Sequence, residues 1–117
     1  MSAAFYEIAD MEQGVDWYLP LVFQNADGTP TNLTGCVLKM QIRAVVGADP
    51  VATLSSPSSG ITINSVANGT ATIAMNAAQL AAIPAGNYVY DLKLTDAAGK
   101  ATRPIQGGIV ISAQVTI

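Results

Sequence analysis

The stretch Cys36-Val37-Leu38-Lys39-Met40-Gln41-Ile42-Arg43 alternates without a break. In an extended chain Cys36, Leu38, Met40 and Ile42 fall on one side, and Val37, Lys39, Gln41 and Arg43 on the other. Successive strand side chains point to opposite faces, so this segment has one apolar and one wet face, as an antiparallel sheet allows.

The same period of two continues outward in both directions. Upstream, Val15, Trp17, Leu19, Leu21 and Phe23 alternate with Asp16, Tyr18, Pro20, Val22 and Gln24. Pro20 has no amide proton, so its strand is expected at a sheet edge or bulged there. Asn25–Pro30 supplies an Asp-Gly turn between the two strands. Downstream, Val51–Leu54 forms a short strand, and Ser55–Gly60 an exposed loop. Ile61–Ile63 and Ala71–Met75 form a hairpin with Ala67-Asn68-Gly69 at its tip. Asn76 begins one or two helical turns near 77–83, with Gln79 three residues on to complete a capping box and Pro84 to stop the run. Tyr88, Tyr90, Leu92 and Leu94 then share a strand face, and Asp96–Gly99 is a turn. Lys100–Gln106 and Ile109–Ile117 flank Gly107-Gly108, a bulge or bend. Seven to eight short strands with turns at this spacing predict an all-β antiparallel sandwich, one domain over residues 1–117. Met1–Tyr6 precedes the first clear strand and reads as an extended arm, with Phe5 and Tyr6 free to pack on another subunit.

Charged residues make up only 11% of the 117-residue chain, while apolar residues reach 50%. No Asp, Glu, Lys or Arg occurs from Val51 to Tyr90 or from Pro104 to Ile117. Either Ser, Thr, Asn and Gln keep these surfaces soluble, or neighbouring subunits cover the faces around Val51–Ile73 and Ile109–Ile117. Five scattered Lys and Arg against eight acids leave no basic stripe for nucleic acid. The apolar runs are interrupted too often for a membrane span. Met1–Ile8 lacks the basic and apolar regions of a signal peptide, and a single Cys makes no internal disulfide, so the expected setting is a reducing cytoplasm.

Within Gly86-Asn87-Tyr88-Val89-Tyr90, Tyr88 follows a helical turn and opens a late strand. That is the place of a tyrosine corner in immunoglobulin-like sandwiches, where the hydroxyl bonds the backbone upstream. Tyr90 takes the position of the second disulfide Cys of antibody domains. The plainer reading is that both are core aromatics at strand spacing. Four blocks extend the likeness: Gln13-Gly14-Val15-Asp16-Trp17, Asn25–Gly35, Ala77–Asp96 and Gly107–Ile117. Their order resembles small immunoglobulin-like domains of tailed bacteriophages, such as the N-terminal domain of upper baseplate proteins. Gln13-Gly14-Val15-Asp16 departs from the tighter Gly-Asp pair common there, a change expected to touch only the local bend.

The resemblance implies a virion structural protein, made in the bacterial host cytoplasm and carried in the virion. It would serve in a tail, baseplate or fibre attachment, and its partners would be other virion subunits. Capsid decoration, or carbohydrate binding at a fibre tip through Trp17 or Tyr18, are the alternatives. No enzyme is expected: the chain has no His, and Cys36 reads as a buried inert thiol on the apolar strand face. No catalytic, cofactor or metal residues are assigned. Glu7, Asp10, Glu12 and Asp16 are the nearest thing to a calcium site, but their spacing matches no metal loop. They read equally well as the solvated start of a strand.

Overall fold

A computed structural model describes residues 4–56 and 59–115. The strands are β1 (Ala4–Phe5), β2 (Ile8–Glu12), β3 (Trp17–Val22), β4 (Val37–Arg43), β5 (Pro50–Ser55), β6 (Ile61–Ser65), β7 (Thr70–Met75), β8 (Gly86–Thr95) and β9 (Ala101–Ser112), with helix α1 at Ala77–Ala81. One sheet has the order β1-β9-β8-β4-β5, with β2 also on β9; the other has the order β3-β7-β6. The chain crosses between sheets four times, giving an all-β sandwich of two packed sheets. With β1 and β2 counted as one interrupted edge strand, the described residues form eight strands.

The alternation in β4 decides the packing. Leu38, Met40 and Ile42 are fully buried, and β4 lies between β8 and β5 in register with both. Ile61, Ala71, Ile73 and Met75 of the small sheet meet Leu38, Met40, Ile42, Tyr90, Leu92, Ile109 and Ile111 of the large one in a single core. Much of the apolar content of the uncharged segments is therefore buried by the chain itself. Pro20 sits on β3, an edge strand of the small sheet, where the missing amide is tolerated.

The helical turn forms as its residues dictate. Asn76 caps Gln79 N–H, and the Gln79 side chain accepts from Asn76 N–H, so two orphan donors are satisfied reciprocally. Asp16 accepts from Ala77 N–H at 2.7 Å, fastening the helix start to the head of β3. Tyr88 makes the expected corner: its hydroxyl donates to the Pro84 carbonyl at 2.5 Å. Tyr88→Phe should cost about 1 kcal/mol in urea unfolding, the usual net worth of one such bond. A cost near zero would show that the ring alone, not the hydroxyl, holds the corner.

Several local expectations are corrected. The sheet is not wholly antiparallel, because β1 and β2 run parallel to β9. The segment read as an arm is, from Ala4 on, an edge strand of the chain's own sheet, with Tyr6 N–H bonded to Gln106; Met1–Ala3 lie outside the described residues. Gly107-Gly108 is no bulge: both stay in register with Tyr90 and Val89. The irregularity falls instead between Leu92 and Leu94, opposite the segment holding Pro104, whose nitrogen cannot donate to the ladder. Strand β9 is thus continuous through the glycines and ends at Ser112; Thr116 and Ile117 lie outside the described residues. Val15 stands in the turn that follows Glu12, not in the strand, and is exposed. Ser55 and Ser56 are half-buried, because Ser56 exchanges bonds with the Leu38 backbone; Pro57 and Ser58 lie outside the described residues.

Candidate interaction surfaces

The chemically distinctive residues belong mostly to the fold. Cys36 precedes β4 and is only half-buried, because the Leu33–Cys36 turn holds it at the rim of the core. Burial, and then the nearby Asp96 carboxylate, push its thiol above the ordinary value, so it is a poor nucleophile at neutral pH. Asp10 and Asp16 do not converge on a common point: Asp10 accepts from the Trp17 indole at 2.9 Å, and Asp16 holds the start of α1. Among the described residues, no three acidic or Cys side chains are grouped to hold a metal ion.

Trp17 is 4% exposed and its indole N–H is occupied, so it offers no face to a ligand. Tyr18, its neighbour of opposite parity, is 63% exposed. It borders an open groove of about 470 Å³ lined by Thr53, Ser59, Gly60, Asn76 and Gln79. The capping box uses the side-chain oxygens of Asn76 and Gln79 as acceptors and leaves their amide N–H groups available to the groove.

The two outer sheet faces differ in charge. On the small sheet, Tyr18, Pro20 and Val22 of β3 lie opposite Ala74, Thr72 and Thr70 of β7, and Thr62 and Asn64 extend the face on β6. None of these residues is Asp, Glu, Lys or Arg, and Thr72 is tied to Asn64 by a 2.8 Å bond. On the large sheet, Lys39, Arg43, Lys93 and Arg103 project outward around Asp91. That segregation is invisible in the composition.

Beneath the large sheet, Tyr90 reaches from the core to the N-terminal strand and donates to the Tyr6 carbonyl at 2.7 Å. Burial, then the neighbouring Tyr6, push its hydroxyl up to about 12. The folded chain therefore keeps this proton above the pH at which the unfolded chain releases it. Stability from this group is full below about pH 10 and is lost as pH rises towards about 12. Urea midpoints taken from pH 9 to 12 should fall along this limb, and Tyr90→Phe should flatten it. An equal fall in the Phe variant would assign the alkaline loss to other groups.

No protein-family model matches the chain, and no curated protein sequence matches it.

Proposed function

We propose that this chain is a non-enzymatic bacteriophage virion structural protein, a tail, baseplate or fibre-attachment component that acts by packing against other virion subunits. The observation that carries the assembly part is the outer face of the small sheet. Eight outward positions on three strands hold no charge, and Tyr18 and Val22 are each more than 60% exposed there. An uncharged sheet face with exposed apolar side chains suits burial against a protein partner better than it suits chemistry on a small molecule. The phage part rests on the ordered sequence blocks that resemble phage immunoglobulin-like domains. Three of those blocks are tied together: Asp16 accepts from Ala77 N–H, and Gln13 donates to the Ile83 carbonyl and accepts from Gln114 N–H, securing the turn before β3.

Electron microscopy of intact particles from cells expressing the chain is the direct test. Density for this sandwich at the tail, baseplate or fibre base, with the small sheet against a neighbour, is the expected result. Density on the capsid shell would favour a decoration role. A monodisperse chain that no particle component binds would count against both.

The exposed Tyr18 beside amide and hydroxyl groups favours one second reading, carbohydrate binding at a fibre tip. It predicts glycan-array signal that Tyr18→Ala abolishes while the fold remains intact. Trp17 is no longer part of that test, since its substitution disturbs the core.

A further inference from the structure

The cations of this chain are not scattered in space. Lys39 and Lys93 face each other directly across β4 and β8, and like charges in that position repel. Arg43 lies further along the same face, and Arg103 pairs with Asp91 at 3.5 Å. Four cations against Asp91 alone give this face a charge of +3, while the whole chain carries −3. The rest of the molecule, seven acids against Lys100, therefore carries −6.

Four of those acids, Glu7, Asp10, Glu12 and Asp16, lie just before β2, on it and in the turn after it, and no Lys or Arg occurs before Lys39. All four are exposed, and β2 is the outermost strand on its side of the sheet. Within one molecule the two charge sets stand apart on the sheet. Glu12 pairs with Ser112 on β9, whereas Lys93 lies opposite the irregular stretch around Arg103 and Pro104. Eight or nine residues of strand, roughly 25–30 Å, separate those two levels. Arg43, level with Val89 and Gly108, stands nearer the level of Glu7, but β9 and β8 lie between them, three strand spacings or roughly 14 Å. The screening length at physiological salt is only about 8 Å.

We propose that the cationic outer face of the large sheet receives the acidic N-terminal edge of a second copy of this chain. The two surfaces are different parts of one molecule, so the contact is head-to-tail and repeats into a ring or filament. Apolar contacts are at hand on both sides. Val46, 89% exposed, and Val89 wall an open trough of about 420 Å³ over Gly108 on the cationic face, and Tyr6 and Val15 are part-exposed on the acidic edge. Charge sets the orientation and the encounter rate, and the apolar contacts add hold. This inference does not depend on the virion reading. A chain that associates in this way supports it even if no particle contains it, and a particle component that stays monomeric here refutes it alone.

Sedimentation velocity on the whole chain across salt concentrations tests it, with Lys39→Glu/Lys93→Glu and Glu7→Lys/Glu12→Lys as charge-reversed variants. These four side chains are exposed and make no hydrogen bond among the described residues, so circular dichroism should be unchanged. The wild type should self-associate at low salt, with affinity falling about tenfold or more between roughly 0.05 and 0.5 M NaCl. Each variant alone should be monomeric. Mixed in equal amounts they should associate again, because the native acidic edge of one then meets the native cationic face of the other, and the two reversed surfaces complement each other. A wild type that stays monomeric at low salt overturns the proposal. So does association that survives both reversals, or a mixture that stays monomeric.

Discussion

Trp17→Ala should cost about 3–5 kcal/mol of stability, whereas Tyr18→Ala, one residue on, should cost no more than about 0.5 kcal/mol. The two side chains are adjacent aromatics of opposite parity on an edge strand, and parity alone separates them. Trp17 is in the core, pairs with Met75 across the small sheet and bonds Asp10 on the N-terminal strand of the large one. Removing it opens a cavity and cuts a polar tie between the two sheets near the head of the molecule. Tyr18 lies on the outer face and closes no cavity in the core. Trp17→Phe keeps much of the apolar contact but loses the indole bond, and should fall between, at about 1–2 kcal/mol. Urea unfolding of the three variants measures this directly. Equal losses for Trp17→Ala and Tyr18→Ala would mean that β3 does not present these faces. For a domain of ordinary stability, about 5–15 kcal/mol, the larger loss removes a substantial fraction of the whole.

Parity is also the reason so much of the sandwich was legible. β3, β4, β7 and β8 each carry an unbroken alternation, and such a pattern is a local signal that needs no knowledge of the partner strand. The capping box at Asn76 and Gln79 and the corner at Tyr88 are local in the same sense, spanning three and four residues. The N-terminal edge strand was not legible for two physical reasons. Its buried residues, Ile8 and Met11, are three apart because the register with β9 shifts between them, so period two is broken. Its partner lies about a hundred residues downstream in the chain, a pairing that no local signal announces. Charge segregation was hidden in the same way. Lys39 and Lys93 become neighbours only through the β4–β8 register, and the sequence shows them as isolated lysines. The outer face of the small sheet was half visible, since the absence of charge from Val51 to Tyr90 could be read directly. Which of those residues point outward could not.

The glycine pair in β9 leads to the sharpest test of the N-terminal strand. Gly107→Ala should destabilise the chain by about 1–3 kcal/mol, while Gly108→Ala should lie within about 0.5 kcal/mol of wild type. Both glycines are in regular strand register, and neither has the positive φ that demands glycine. They differ in what lies over them. A methyl group on Gly107 would run into the backbone carbonyl of Tyr6, whereas one on Gly108 would come no closer than 3.7 Å to the Tyr88 carbonyl. The obstruction at Gly107 is backbone, held in place by Tyr6 N–H on Gln106 and by the Tyr90 hydroxyl on the same Tyr6 carbonyl. It cannot swing aside as a side-chain tip would. Relief requires lifting residues around Tyr6 off β9, which breaks both bonds and loosens the edge strand that buries Ile8 and Met11. Hydrogen exchange should therefore speed up from Tyr6 to Glu12 in Gly107→Ala and stay unchanged there in Gly108→Ala. Similar behaviour of the two variants would mean that the N-terminal segment does not cross β9 at Gly107. In that case the parallel edge, with the acidic strip it carries, would have to be redrawn.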